Sequence, residues 1–375
     1  MSRAARDKVA GPPELKGLPP DKLAEVFLER GIKRYRAQQV YDALYVNRVE
    51  SINDMHTLPD ELRRDLEQNF RTHSVSLQRM QESDDGTKKF LFELYDGRTI
   101  ESVLIPSEMR EEDGHPRRRT LCISTQVGCN LGCTFCATAT MKLSRNLTSG
   151  EIVDQFLQAQ KHSEKPITNI VFMGMGEPMN NYDAVMQATQ IFNDQRTNMV
   201  APRRTTLSTA GVVPGILRMA EEGRIIKLAV SLHATTQGVR EQLMPIAKRW
   251  PLTTLFDAIE QYYRTTRKSI TYEYILFKGL NDSLDDVKRL GKLARRLPTK
   301  VNVIPFHEID FTHPTGFSAQ LEPTAPDQFQ WFMDKLREEG VHVLIRSSSG
   351  LDIDAACGQL ALSEDGGRRT EDALV

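Results

Sequence analysis

No stretch of this 375-residue chain approaches the roughly 18 consecutive apolar residues of a membrane-spanning helix, so no span is expected. The opening twenty residues, MSRAARDKVAGPPELKGLPP, lack the apolar core of a secretory leader, and the chain reads as cytoplasmic. Charge of one sign is missing too: 49 Lys and Arg stand against 50 Asp and Glu. Bulk electrostatics therefore make no case for a nucleic-acid partner. Local basic clusters do occur at Lys33, Arg34 and Arg36, at Arg117 to Arg119, and at Arg203 and Arg204. Alone, each reads as solvated surface. No sustained heptad pattern appears, so a monomer is expected. Cysteine is scarce: of five, four fall between Cys122 and Cys136, and Cys357 stands far away. That distribution is no disulfide framework; in a cytosolic protein it signals metal or redox chemistry.

What remains is ordinary for a globular chain, 39% hydrophobic and 26% charged, and long enough for one large domain beside a small one. Residues 1–20 are punctuated by Pro and Gly and are expected to be disordered. A small helical module follows over 21–74. Its first helix carries Leu23, Val26 and Phe27 on one face, with Gly31 as a stop. The second carries Ala37, Val40, Tyr41, Leu44 and Tyr45, and a third after Pro59 carries Leu62, Leu66 and Phe70. Residues 75–116 hold a β-hairpin and a linker, because KFLFELY and RTIESVLI flank an Asp96-Gly97 turn.

From residue 117 to 349 the pattern becomes α/β. Strand candidates TLCIST, TNIVFM, RTTLS, IKLAVS, SITYEYIL, KVNVIP and VHVLIR alternate with amphipathic stretches such as EIVDQFLQAQ, LTTLFDAIEQYY, LDDVKRLGKLARRL and APDQFQWFMDKLREE. Such alternation builds a parallel sheet from βαβ units, here a full or partial βα barrel with its chemistry where strands end and loops begin. Residues 350–375 form a C-terminal segment that carries Cys357, followed by a flexible tail.

QVGCNLGCTFCAT places Cys129, Cys133 and Cys136 directly after the first strand of that barrel. The spacing could be one helix face, but Gly128 and Gly132 favour a loop that wraps an object. Structural zinc takes four protein ligands, and neither His115 nor His162 lies at finger-like spacing. Three thiolates suit a [4Fe–4S] cube, which keeps one iron open for an exogenous ligand. Such an iron can chelate the amino and carboxylate groups of S-adenosylmethionine (SAM) and pass an electron to its sulfonium. One βα unit later, GMGEP brings Gly174, Gly176 and Glu177 to a strand end, where Glu177 can accept a hydrogen bond from the SAM ammonium. Ser208 and the run Ser231, Leu232 and His233 close the next two strands, so polar groups gather on one rim. Cys122 and Cys357 each read equally as small buried hydrophobes. Glu101 shares a strand face with Thr99, Val103 and Ile105, where a carboxyl either has a raised pKa or points to solvent.

Together, TLCISTQVGCNLGCTFCAT, PITNIVFMGMGEP, TLSTAGVVP, SLHA and DIDAACGQL, in this order, resemble the RlmN/Cfr family of radical SAM RNA methyltransferases. The resemblance runs from GIKRYRAQQVYDALY to DIDAACGQL. It implies a partial (βα)6 radical SAM barrel behind a small N-terminal helical RNA-contacting module, with the β-hairpin as an extension. It implies methylation of adenosine C2 in the peptidyl-transferase centre of 23S rRNA and beside the anticodon of some tRNAs; Cfr-type relatives methylate C8 instead. In the implied chemistry two SAM molecules serve each turnover. One methylates Cys357, and the other, cleaved at the cluster, provides a radical that takes a hydrogen from that methyl. Carbon passes to the base through a covalent adduct that Cys122 resolves, leaving a Cys122–Cys357 disulfide. Glu101 matches the proton acceptor. Gly176, Glu177, Ser208, Ser231, Leu232 and His233 match SAM contacts. Where the family often has an aromatic followed by Asn, this chain has Phe306 and His307, and His307 is carried over as a contact. A one-electron reductase such as flavodoxin is the implied partner. Two other readings use the same motif: an activase acting on a protein partner, which has no use for Cys357, and a zinc-stabilised RNA-binding module.

Overall fold

Strand and helix positions follow from the apolar pattern. The computed structural model describes residues 12–345 and 349–361. Helices α1 (Pro20–Glu29), α2 (Arg34–Tyr45) and α3 (Asp60–Asn69) form the N-terminal module. They bury Leu23, Phe27, Val40, Tyr41, Leu44, Tyr45 and Leu66, the helical faces that the periodicity marks.

A three-stranded antiparallel unit follows: β1 (Val75–Glu82), β2 (Lys88–Leu94) and β3 (Thr99–Pro106). The expected hairpin is β2–β3, with Glu93 opposite Thr99. It is not a detached extension, because β3 pairs antiparallel with β4 (Arg119–Cys122) and so joins the main sheet. Two short strands, β5 (Gln126–Val127) and β6 (Arg145–Asn146), bracket the cysteine loop. The barrel continues through α4 (Ser149–Lys161), β7 (Asn169–Phe172), α5 (Tyr182–Phe192), β8 (Thr205–Thr209), α6 (Val213–Glu221) and β9 (Lys227–Ser231). Helices α7 (Gln237–Leu243) and α8 (Leu252–Thr266) precede β10 (Ile270–Leu276). After it come α9 (Leu284–Ala294), β11 (Thr299–Pro305), α10 (Pro326–Glu338) and β12 (Val343–Ile345).

The sheet order is β1-β2-β3-β4-β7-β8-β9-β10-β11-β12, and every pairing from β4 to β12 is parallel. Six βα units, from β4–α4 to β11–α10, therefore make the partial barrel, and β12 closes the row. Alternation assigns the two faces. Tyr272 meets Phe256 of α8 and Tyr274 stacks on Phe332 of α10, so these residues point to the helical layer. Thr271 and Glu273 then point inward, and Glu273 accepts a hydrogen bond from Asn302 of β11 (2.9 Å).

Residues 1–11 lie outside the described set, and so does the tail expected to be flexible from residue 362. Residues 12–20, expected to be disordered, are instead held in place. Leu15 is buried, and Lys16 donates to Asp154 of α4 at 2.6 Å. Asp154 also accepts from the backbone N–H groups of Ser74 and Val75. One buried carboxylate thus ties the chain's start and β1 to the barrel. Helix α4 begins at a capping box in which Thr148 and Glu151 satisfy each other's backbone N–H.

Candidate active site

The cysteine loop is not a helix. Between β5 and a 3-10 turn at Ala137–Met141, the chain is irregular through Cys129, Cys133 and Cys136. Gly128 has φ +74°, and a Cβ there would sit 1.9 Å from the Lys142 carbonyl oxygen, so only glycine lets the two ends of the loop approach. Burial raises all three thiol pKa values, that of Cys129 to about 12, and each thiol is raised further by a neighbouring cysteine. Three buried thiols this close do not ionise together without cationic partners, which the irons of a cluster are. The donor set is three thiolates on one wrapping loop, one fewer than structural zinc takes, and it fits a cube that offers each sulfur its own iron.

The rim residues stand around this loop. Phe135 packs edge-on against His233 (ring centroids 4.8 Å apart) and touches Phe277, which touches Phe306. His233 is buried with φ +53°, and its Nδ1 accepts the Ile275 N–H at 3.1 Å. Burial pushes its pKa down to about 3, so the ring is neutral and carries its proton on Nε2. Ser208 and Ser231 lie at the ends of β8 and β9 on the inner face. His307, just after β11, is half-buried, and burial lowers its pKa. Gly176 has φ +94°, and any Cβ there would strike the Gln126 side chain at 2.4 Å. Glu177 is buried; its two oxygens accept from the N–H groups of Met179 (3.0 Å) and Ala210 (2.8 Å). Burial raises its pKa to about 7. The Thr209 side chain also bonds this carboxyl, which lines the rim beside the cysteine loop.

Arg240, on α7, is a residue the sequence reading missed. It is fully buried, and its guanidinium donates to the carbonyls of Leu232 (3.2 Å), Ala210 (2.8 Å) and Ser231 (3.1 Å), while Nη1 has no hydrogen-bond partner. It thus ties together the ends of two rim strands, and its positive charge acts on Cys133. No sequence signal announces it, because its acceptors are backbone groups.

Cys122 faces Val103 across the β3–β4 pairing, and Glu101 lies two residues before Val103. Both side chains therefore emerge on the inner face as diagonal neighbours. Glu101 is buried beside Lys89 (3.7 Å), with Oε2 unsatisfied. Burial raises its pKa to about 7, against the opposing pull of Lys89. Of the two open readings, the raised pKa holds and the solvent-facing one does not.

Cys357 lies over the cysteine loop although 221 positions separate it from Cys136 in sequence (357 minus 136). The Ala137 N–H donates to the Gly358 carbonyl at 2.7 Å and the Thr138 hydroxyl to the Leu360 carbonyl at 2.5 Å. The Cys357 thiol is close enough to Cys136 to raise its pKa. On the other side, Lys89 donates to the carbonyl of Asp354 (3.4 Å). The segment therefore bridges the cysteine loop and the strand beside Glu101. None of the five cysteines is in a disulfide.

A parallel βα barrel whose first strand runs into a three-thiolate loop, ringed by strand-end polar groups, defines a radical SAM enzyme, and the family model described as the Radical SAM superfamily matches residues 123–291. The model described as the ribosomal RNA large subunit methyltransferase N-terminal domain matches residues 13–71. A dual-specificity RNA methyltransferase RlmN from Geobacter sulfurreducens is 44% identical over 92% of this chain and 91% of its own length. A probable one from Akkermansia muciniphila is 40% identical over 92% and 94%. The chain belongs to the RlmN family of dual-specificity RNA methyltransferases. A solved radical SAM methyltransferase from Sphaerobacter thermophilus superposes with a TM-score of 0.84 at 38% identity, covering 93% of this chain and 99% of the other.

Proposed function

We propose that this chain methylates C2 of an adenosine in 23S rRNA, and of an adenosine beside the anticodon in tRNA, with Cys357 as the carrier of the methyl group. Cys129, Cys133 and Cys136 would hold a [4Fe–4S] cluster, whose chemistry is one-electron cleavage of the SAM sulfonium to give a carbon radical. Adenine C2 is electron-poor, so direct displacement from the sulfonium fails there and a sulfur relay is needed. The Cys357 thiolate displaces the methyl of one SAM and holds it as a thioether. A hydrogen atom of that methyl would pass to the SAM-derived carbon radical, the carbon would bond to C2, and the adduct would return one electron to the cluster held by Cys129, Cys133 and Cys136. Glu101, on the inner face, accepts the proton the base releases. The Cys122 thiolate attacks the Cys357 sulfur, the carbon–sulfur electron pair leaves with the carbon, which takes up a proton to become the methyl group, and the resulting disulfide takes two electrons to reopen. Gly176, Glu177, Ser208, Ser231, Leu232, His233 and His307 would bind SAM. A flavodoxin-like reductase, a monomeric state and a cytoplasmic location complete the reading. No helix among the described residues is long and apolar enough to cross a membrane.

The observation that supports this reading best is the seating of Gly358 and Leu360 on Ala137 and Thr138, which brings a distant thiol to the cysteine loop. The test incubates reconstituted enzyme with SAM, a reductant and rRNA or tRNA transcripts, and maps the modified base by mass spectrometry. C2-methyladenosine is expected. A C8 product would assign the Cfr-type reaction, and unmodified RNA from cluster-loaded enzyme would refute the substrate. Cys357→Ala is expected to abolish product, and Cys122→Ala to trap protein covalently on RNA; full turnover by either would end the relay.

A further inference from the structure

Two of the three basic clusters that read as plain surface in the sequence, at Arg117 to Arg119 and at Arg203 and Arg204, come in the fold to one end of the barrel with two separate lysines. Arg118 precedes β4, Arg204 precedes β8, Lys227 opens β9 and Lys300 is the second residue of β11. Strand alternation puts Lys227 and Lys300 on the inner face, while Arg118 and Arg204, the latter closing a 3-10 turn at Pro202–Arg204, stand at the entrances of their strands. Lys227 has the parity of Ser231, and Lys300 that of Asn302. The chemistry, though, sits at the opposite strand ends. Four residues of strand separate Lys227 from Ser231, about 13 Å at about 3.3 Å each. The four cations therefore gather at the barrel's other mouth; partial burial lowers the pKa of Lys227, and the charges of Lys300, Arg118 and Arg204 lower it further. All four are exposed, and among the described residues none has an ion-pair partner.

Two features separate this cluster from an ordinary solvated face. Exposed cations on βα barrels are stabilised when they cap the last turn of a helix, but these four stand at or just before the entering ends of strands β4, β8, β9 and β11. Like charges held together in this way lower stability, and an anion offsets that cost. The chain as a whole has a net charge of −1, so the concentration is local. Exposed Arg117, Arg203, Arg267 and Lys268 extend it along the same end. A protein partner's patch would centre on apolar and aromatic anchors with lysine depleted. A crowded set of Arg and Lys matches a phosphodiester backbone.

We propose that this mouth is a second RNA-contacting surface, which holds the phosphate backbone of the substrate at a distance from the modified adenosine. The inference rests on the substrate being RNA. It assigns affinity for a large substrate to a surface that makes no contact with SAM or the reacting base.

The test measures RNA affinity of the full-length protein against KCl concentration. One ligand is a short stem-loop carrying the target adenosine, and the other a full tRNA or rRNA-domain transcript. In the variant Arg118→Gln/Arg204→Gln/Lys227→Gln/Lys300→Gln, affinity for the long transcript is expected to fall at least tenfold. The log–log salt slope should shrink by about 3, since each lost phosphate contact contributes about 0.7 to 0.9. Stem-loop binding and 5′-deoxyadenosine release should match wild type. The pair Lys227→Gln/Lys300→Gln, a milder change, should shrink the slope by about 1.5. An unchanged slope on the long transcript overturns the proposal, and so does an equal change on the stem-loop. Failure of the wild-type chain to methylate either RNA would instead count against the function, and the salt slopes would still be readable.

Discussion

The most informative single residues are those whose environment departs from their chemistry. Glu101 is a carboxyl on an inner face, and burial raises its pKa to about 7. The sign is that of a group neutral below the shifted value and anionic above it, so its ability to accept a proton rises through pH 7. Single-turnover methyl transfer is therefore expected to climb between about pH 6 and 8. In Glu101→Gln that limb should vanish and the rate should drop by about 100-fold or more, the usual worth of a positioned base. Glu177 has a similar pKa but remains in the variant, so a limb that survives would move the role to it. Arg240 gives a second test. Arg240→Lys keeps the charge but loses the fork that gathers three carbonyls, and SAM affinity measured by equilibrium dialysis should fall about tenfold, or about 1.4 kcal/mol. Affinity equal to wild type would show that the rim holds itself. Legibility at this scale divides on chemistry: the cysteine trio stands out as a residue type in a pattern, whereas Cys122, Cys357 and Glu101 take on roles only through the family resemblance. Arg240 does neither, because nothing in a sequence shows which backbone carbonyls will meet a guanidinium.

Most barrel elements could be read as whole segments, since short apolar strands and amphipathic helices carry distinct periods. Strand β1 escaped for a specific reason. After Leu77 its half-buried positions are Arg79 and Gln81, and its pairing with β2 slips at Leu77/Arg79, so neither apolar alternation nor a steady register is present. The ordering of residues 12–20 escaped likewise, because Pro and Gly suggest looseness while the deciding contact is Lys16 on Asp154. That contact yields a stability prediction. Asp154 is fully buried, so Asp154→Ala strands a buried ammonium and two backbone donors, at a cost of about 3 to 5 kcal/mol. Denaturant unfolding should show this loss, and limited proteolysis should cut first near residues 12–20 and 71–75. A loss under 1 kcal/mol would mean that Lys16 finds water when its partner is gone.

Across the molecule, the site is assembled from both ends of the sequence. The cysteine loop follows the first barrel strand, and the segment carrying Cys357 returns after the last one to lie on it. The segment is held there by Lys89 of β2 on one side and by Ala137 and Thr138 behind the cysteine loop on the other. This arrangement separates two properties that a single compact site would couple. Ending the chain after residue 349 leaves the three cysteines, the rim and Arg240 intact, but it removes Cys357 and the cover over residues 135–141. The shortened protein is expected to take up iron and sulfide and to cleave SAM reductively. Methyl transfer to RNA should be undetectable, and amide exchange at Ala137 should accelerate. Loss of cluster uptake together with methyl transfer would mean that the C-terminal segment also builds the cluster's pocket, and the carrier could then not be treated as a part docked onto a finished radical-generating core.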